Sequence, residues 1–196
     1  IKTCIQGSEE WHSQRLGSIG GSSIATAVSS GKTRQTLLYR MVAEILSGEK
    51  TQGYVNEHML RGIEREPKAR ELYEFMTDTV VEQVALVKGG PHRHYSPDGL
   101  VGAKGLIEIK CPLPATHCET ILANRIPAQY RRQCQWGLFI CEREWVDFVS
   151  YSPEIDDNPL LVIRAERDEK LIEELDTKAT IFISEMVAAV DKIKAA

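Results

Sequence analysis

Hydrophobic positions recur with a helical period in some parts of the chain and alternate in others. Leu37, Met41 and Ile45 share one face of a helix, whereas the valine-rich segment from Thr79 to Lys88 alternates as a strand does. The predicted helices span about 8–17, a short segment from 20, 33–46, 56–76, 115–123, 127–141 and 168 onward, and the predicted strands span 79–88, 94–102, 105–110, 144–151 and 160–166.

This order of elements predicts the fold class. Helices come first, then clustered strands with one helical crossover, and an amphipathic helix closes the chain. We therefore expect an α/β (α+β) fold with a central mixed β-sheet flanked by helices. A length of 196 residues fits one domain with its own core, so residues 1–196 are expected to form a single domain.

The start of the second helix has a composition that suits an anion. Gly20, Gly21, Ser22 and Ser23 are small, and the first N–H groups of a helix have no partner within the helix. The segment around Ser22 is therefore a candidate phosphate site.

Composition narrows the class of protein. Hydrophobic residues make up 42% and charged residues 27%, and no stretch of about 18 apolar residues is present, so we expect a soluble protein that does not cross a membrane. Residues 1–4 show no basic-then-apolar signal pattern, and the five cysteines include no Cys-x-x-Cys pair, which favours reduced thiols in a cytosol. The net charge of −4 means that any contact with DNA depends on local basic clusters. The candidates are Arg61, Arg65, Lys68, Arg70, Arg131 and Arg132.

Two predicted strands carry the residues most suggestive of chemistry. The first contributes Ser96-Pro97-Asp98-Gly99-Leu100, and the second contributes Gly105-Leu106-Ile107-Glu108-Ile109-Lys110-Cys111-Pro112. Because side chains alternate along a strand, Glu108 and Lys110 share one face while Ile107 and Ile109 share the other. Asp98, across a short turn, is placed to reach the same point as Glu108 and Lys110.

This grouping suits the hydrolysis of a phosphodiester. Mg²⁺ binds few protein carboxylates and keeps several waters, so Asp98, Glu108 and the carbonyl of Ile109 form a sufficient set of ligands. Lys110 is placed to orient the attacking water or to help deprotonate it. The alternative to a catalytic site is a turn followed by a solvated strand, but the apolar alternate positions favour a strand that is buried on one face.

Ordered motifs along most of the chain carry a resemblance to a known family. They are Trp11-His12-x-x-Arg15-Leu16-Gly17 with Ser22, Gly62-x-x-x-Glu66-x-x-Ala69-Arg70, Ser96-Pro97-Asp98-Gly99-Leu100, Leu106-x-Glu108-x-Lys110-Cys111-Pro112 and Tyr130-x-x-Gln133-x-Gln135. The chain resembles the phage lambda exonuclease and YqaJ-type viral recombinase (alkaline exonuclease) family, in the wider PD-(D/E)xK nuclease superfamily. The resemblance implies a restriction-endonuclease-like core.

The resemblance also implies residue roles. Asp98 and Glu108 would bind the metal, Lys110 would be the catalytic lysine, and Glu66 would be an additional acid near the metal. Gln133 would lie beside the metal-bound water. Arg15 and Ser22 would bind the terminal 5′ phosphate. The implied cofactor is Mg²⁺, with Mn²⁺ as a substitute.

The activity implied by the resemblance is the 5′-to-3′ degradation of one strand of linear double-stranded DNA. It leaves a 3′ single strand for a phage single-strand annealing protein, and such enzymes work as ring-shaped homotrimers. A phage- or prophage-encoded protein of the bacterial host cytoplasm is expected. Two alternatives stay open: an endonuclease of the same superfamily, and a non-catalytic DNA-binding recombination scaffold.

Other motifs are given structural interpretations. Ser29-Ser30-Gly31-Lys32-Thr33 resembles the end of a P-loop, but Thr26 stands where that motif needs glycine. The histidines at 12, 92, 94 and 117 are expected to be packed or solvated, and the tryptophans at 11, 136 and 145 are expected to serve packing first.

Overall fold

The computed structural model describes residues 4–51 and 57–196. Its helices are α1 (Glu9–Ser13), α2 (Gly21–Ala27), α3 (Lys32–Ser47), α4 (Glu57–Thr77), α5 (Pro114–Ala123), α6 (Ala128–Ile140) and α7 (Glu169–Lys194). Its strands are β1 (Val81–Glu82), β2 (Val87–Lys88), β3 (His94–Tyr95), β4 (Gly99–Val101), β5 (Gly105–Lys110), β6 (Trp145–Tyr151) and β7 (Leu160–Glu166). Residues 1–3 and the predicted start of the fourth helix at residue 56 lie outside the described residues.

Five strands form a mixed sheet in the order β1-β4-β5-β6-β7. The β4–β5 hairpin is antiparallel, β5 and β6 run parallel, and β7 returns antiparallel to β6. A parallel pair needs a long crossover, which α5 and α6 provide between β5 and β6. The predicted α/β fold with a mixed sheet flanked by helices is confirmed.

Two apolar cores lie on the two faces of this sheet. Leu106 packs into a core shared with α2, α3, α6 and α7, whereas Ile107 and Ile109 pack into a second core with Ala69 and Tyr73 of α4. The predicted alternation along β5 is therefore confirmed. It places the side chains of Glu108 and Lys110 on the side opposite Ile107 and Ile109, at the end of β5.

The continuous strands predicted at 79–88 and 94–102 are wrong. Each divides in two, because β1 pairs with β4 in the main sheet while β2 pairs with β3 in a separate two-stranded sheet. Pro97, which has no N–H for a strand ladder, lies in the gap between β3 and β4. Asp98 also lies in this gap, so it is outside the regular pairing of β4 with β5.

The first helix begins as predicted but ends earlier. The hydroxyl of Ser8 accepts a hydrogen bond from the backbone N–H of Trp11 at 3.2 Å, as an N-cap does. The helix ends at Ser13, because the N–H groups of Arg15 and Leu16 bond three residues back, in a tighter turn than an α-helix makes. Arg15 therefore lies beyond the helix.

None of the helices in the described part of the chain is long and apolar enough to span a bilayer.

Candidate active site

Glu108 and Lys110 form the centre of the candidate site at the end of β5. The ammonium group of Lys110 donates to Oε1 of Glu108, as expected for two residues on the same face of a strand. The side chain of Glu108 is 2% exposed and that of Lys110 is 26% exposed. The lysine therefore lies between a buried carboxylate and the surface.

Asp98 joins this pair from the neighbouring strand. Gly99 pairs with Ile107, so Asp98 lies one residue beyond the paired strand, near Glu108, and its Oδ2 accepts the backbone N–H of Ile109 at 2.6 Å. Burial raises the pKa of Asp98 well above its usual value, Glu108 raises it further, and Lys110 opposes the rise. The three groups expected to converge are therefore close enough to act on one another electrostatically.

Glu66 of α4 lies beside this cluster. Nη2 of Arg70 donates to Oε1 of Glu66 at 2.5 Å, and Nε of Arg70 donates to the carbonyl of Asp98 at 3.0 Å. Burial raises the pKa of Glu66 and Glu108 adds to that rise, while Arg70 opposes it. Arg70 thus connects the helix to the segment that carries Asp98, and it faces the cluster rather than solvent.

Gln133 of α6 also contacts Glu108. Its side-chain amide donates to Oε1 of Glu108 at 2.5 Å, so the helix of the crossover reaches the same carboxylate as Lys110. The structure therefore brings together five of the predicted site residues, which are Glu66, Asp98, Glu108, Lys110 and Gln133.

Tyr95 is a member of the site that the sequence pattern does not single out. Its hydroxyl donates to Oε2 of Glu108, on the oxygen that Lys110 and Gln133 leave free. Burial, followed by Glu108, raises the pKa of Tyr95 well above its usual value, so the phenol stays protonated as a donor. The only local signal is that Tyr95 directly precedes the Ser96-Pro97-Asp98 motif.

The ring of Tyr95 is accommodated by two glycines. A Cβ atom at Gly21 would lie 2.5 Å from Cε2 of the ring, and one at Gly137 would lie 2.6 Å from its Cζ. Gly21 also lies close to Gln133, at 3.2 Å from such a Cβ to the side-chain Cγ. The beginning of α2 is therefore packed directly against the acid cluster.

A cavity of about 600 Å³ opens onto this cluster. It is lined by Arg61, Gly62, Ile63, Glu66, Asp98, Ile109, Lys110, Cys111, Pro112, Leu113, Thr116, Gln129 and Tyr130. Nζ of Lys110 lies 5.2 Å from the centre of the Tyr130 ring. The cavity brings carboxylates, an ammonium group and apolar side chains to one surface.

The donor set matches the oxygen ligands that Mg²⁺ binds. Asp98 and Glu66 are partly buried carboxylates whose pKa is raised partly by neighbouring acids, and a divalent cation would offset that repulsion. Among residues 4–51 and 57–196, no three His, Cys, Asp or Glu side chains are grouped so as to hold a metal by themselves. The set expected from the sequence, Asp98, Glu108 and the carbonyl of Ile109, is smaller than that and would need water ligands to complete it.

Arg15 and Ser22, the predicted phosphate ligands, lie on the α1–α2 side of the molecule. Ser22 is exposed in the first turn of α2, one residue beyond the glycine that packs on Tyr95. Arg15 is partly buried, with its guanidinium 3.8 Å from the centre of the Trp11 ring and its Nε 3.1 Å from Nε2 of His94. No contact between Arg15 and Ser22 defines a joint site, and their shared role stays a prediction.

Several basic and histidine side chains have structural partners. Arg65 pairs with Glu154 at 2.6 Å, and Arg131 lies 3.8 Å from Asp168. His117 is buried, and its ring bonds the hydroxyl of Ser150 and the carbonyl of residue 158. The five cysteines, which all lie in described residues, are free.

Comparison with known proteins places this site in a family. The model of the YqaJ-like viral recombinase domain matches residues 10–144. The crystal structure of an alkaline exonuclease (LHK-Exo) from Laribacter hongkongensis superimposes with a TM-score of 0.91 at 37% identity, covering 96% of this chain and 97% of that one. The same exonuclease in complex with dAMP gives a TM-score of 0.90 at 38% identity, with the same coverage. No curated protein sequence matches significantly.

A more distant match agrees on the fold alone. A phage-related exonuclease from Haemophilus somnus 129PT has a TM-score of 0.70 at 14% identity, covering 90% of this chain and 96% of that one. The fold and the acid–lysine cluster together define a nuclease. Within that class, the chain belongs to the YqaJ-like viral recombinase family, because the family model covers most of its length.

Proposed function

We propose that this nuclease is a Mg²⁺-dependent 5′-to-3′ exonuclease, with Mn²⁺ as a substitute metal. It degrades one strand of linear double-stranded DNA and leaves a 3′ single strand for recombination by annealing. The observation that carries the proposal is the buried carboxylate of Glu108, which accepts from Lys110 while Asp98 lies opposite it in the sheet register. The similarity to an alkaline exonuclease supports the same activity.

The proposed chemistry assigns a distinct task to each side chain. Asp98, Glu108 and the carbonyl of Ile109 would hold Mg²⁺, which when bound activates water and neutralises charge that develops on the phosphate. Burial lowers the pKa of Lys110, but Glu108 and Asp98 outweigh that effect, so the pKa is raised. Lys110 donates to Glu108 at the reacting centre, where it would orient the attacking water or help deprotonate it.

Glu66 and Gln133 support this centre from the helices on its two sides. Gln133 donates to Glu108, which helps hold the carboxylate in one orientation. Glu66 accepts from Arg70 and leaves its other oxygen for water near the cavity. Arg15 and Ser22 are proposed to bind the terminal 5′ phosphate, which would make hydrolysis begin at ends.

The first experiment separates exonuclease from endonuclease. Linear duplex DNA labelled at each 5′ end in turn, and closed circular DNA of the same sequence, are incubated with and without Mg²⁺. Progressive loss of the linear duplex from its 5′ ends, with the circle intact, is expected. Cutting of the circle at a comparable rate would instead favour the endonuclease.

A second experiment separates the exonuclease from a non-catalytic scaffold. Asp98→Asn and Lys110→Ala should abolish hydrolysis while leaving binding of duplex DNA largely present, because both remove groups at the reacting centre. Lys178→Ala is a matched control, since that exposed lysine of α7 pairs only with Glu174 among the described residues. Unchanged digestion by either site variant would contradict the assigned roles.

The proposed assembly is a homotrimer ring that acts with a phage single-strand annealing protein in the host cytoplasm. Light scattering on the eluting protein would give its mass, and three times the chain mass is expected. Co-elution with a phage single-strand annealing protein would test the partnership. A monomer that is fully processive would remove the need for a ring.

A further inference from the structure

The guanidinium of Arg15 is held by two aromatic side chains. One face lies over the ring of Trp11 at 3.8 Å, and Nε donates to Nε2 of His94 at 3.1 Å. Within residues 4–51 and 57–196, the guanidinium makes no other hydrogen bond. A guanidinium can bind an anion through either of two pairs of N–H donors: a side edge, formed by Nε and one Nη, and an end edge, formed by the two Nη groups. Since Nε is engaged, the end edge is the one on which neither donor has a hydrogen bond with the described residues.

His94 is itself held at both ring nitrogens. Because Nε2 accepts from Arg15, Nδ1 carries the proton and donates to the hydroxyl of Ser18 at 2.9 Å. The backbone N–H of His94 also bonds the carbonyl of Ile19 at 3.0 Å. The imidazole is 3% exposed, and a Cβ atom at Gly20 would collide with its Nε2. The ring therefore has one position and one tautomer.

The charge state of His94 supports this arrangement. Burial first, and then the cations Arg15 and Lys88, lower the pKa of His94 to about 3. The neutral ring keeps the lone pair that Arg15 needs. Arg15 loses part of its hydration in the same place, and burial lowers its pKa to about 10, so it remains a cation at neutral pH.

We propose that His94 is a positioning residue of the 5′-end anchor, which fixes the guanidinium of Arg15 so that a terminal phosphate is bound end-on. The inference rests on the proposed role of Arg15 and adds a residue to it. Tyr95, the next residue of β3, donates to the catalytic carboxylate Glu108. Two consecutive residues of one strand thus hold the end anchor and the reacting centre, on opposite sides of the strand.

The test measures how strongly the enzyme prefers a 5′-phosphate end over a 5′-hydroxyl end. The readout is the ratio of kcat/KM on two linear duplexes that differ only in that group, so a general loss of activity cancels. His94→Leu removes the acceptor and should lower the preference by about tenfold, mainly through KM, because a hydrogen bond to a charged group is lost. His94→Gln offers an oxygen near the position of Nε2 and should restore most of the preference.

Two further variants show where a failure lies. Arg15→Gln should abolish the preference, and if it does not, the anchor itself is wrong. If Arg15→Gln abolishes the preference while His94→Leu keeps it in full, the anchor stands and the role of His94 is overturned. His92→Asn is the matched control. It removes an imidazole from the same segment, but the ring of His92 bonds the carbonyl of Gly17 and not Arg15.

Folding of His94→Leu is checked by circular dichroism before the kinetics. Should that variant fail to fold, Ser18→Ala provides the second route, because it removes the acceptor that holds the Nδ1 proton. The expected result is a smaller loss of preference in the same direction. A full preference in Ser18→Ala, with none in Arg15→Gln, would in that case overturn the inference.

Discussion

The hydroxyl of Tyr95 can be removed without changing the ring that fills the space between Gly21 and Gly137. Tyr95→Phe keeps those close contacts and deletes only the group that donates to Glu108. The carboxylate then keeps its two donors on Oε1, from Lys110 and Gln133, and has none on Oε2 among the described residues. The substitution therefore isolates one hydrogen bond at the centre of the site.

The structure sets the size of the effect. Glu108 is 2% exposed, so water cannot easily replace the lost donor. A hydrogen bond to a charged group contributes about 1.5 to 3 kcal/mol to stability. The free energy of unfolding should fall by that amount, which lowers Tm by about 3 to 12 °C for a chain of this size. Hydrolysis should slow as well, because Glu108 is held less firmly.

The assay is urea unfolding of the metal-free protein, with a matched control and a double-mutant cycle. Tyr151→Phe deletes the same atom from another buried tyrosine, whose hydroxyl makes no hydrogen bond with the described residues, so a much smaller change is expected. Combining Tyr95→Phe with Glu108→Gln should give a coupling energy of about 1 kcal/mol, since the amide accepts a weaker bond. Coupling below about 0.5 kcal/mol, within ordinary additivity, would refute the reasoning.

Three other predictions concern pH, a buried ion pair and the metal. The pKa of His94 is lowered from 6.5 to about 3, so its contribution to stability is full above pH 6.5. Below that pH the unfolded chain takes up the proton, and the free energy of unfolding falls by at most about 1.4 kcal/mol per pH unit. The urea midpoint of His94→Gln should decline less steeply as the pH falls, and parallel curves for the two proteins would be evidence against this. Arg164→Met should cost about 2 to 4 kcal/mol in unfolding experiments, since among the described residues it leaves the 1% exposed Asp147 with the Tyr73 hydroxyl as its one side-chain donor. The half-exposed guanidinium keeps the cost below that of a fully buried pair, and a loss under about 1 kcal/mol would contradict the prediction. EDTA should stop hydrolysis and added Mg²⁺ should restore it, whereas digestion that persists in EDTA would exclude the proposed metal.

The sequence predicts those parts of the fold whose signal is local. Ile107 and Ile109 alternate with Glu108 and Lys110, and this period of two is enough to place the four side chains on opposite faces of β5. The division of 79–88 into β1 and β2 is not local, because it depends on pairing with two different strands, β4 and β3, that come later in the chain. A pattern of valines cannot distinguish one long strand from two short ones with separate partners.

The candidate site shows the same division. Glu108 and Lys110 are on β5, and Asp98 directly precedes β4, which pairs with β5, so spacing and alternation bring the three together. Tyr95 and His94 escape such reasoning, because their roles depend on Gly21, Gly137 and Ser18 from distant segments. Both residues lie beside a recognisable motif, but their roles become visible only from the contacts that they make in three dimensions.

The two glycines around Tyr95 carry an evolutionary consequence. A methyl group at position 21 or 137 would overlap the phenol ring, so those positions can enlarge only if position 95 shrinks. Among descendants of this chain, the three positions should therefore vary together, with an aromatic residue at 95 accompanied by glycine at both of the others. A lineage that carries alanine at 137 should have lost the ring, and with it one of the three donors to the carboxylate.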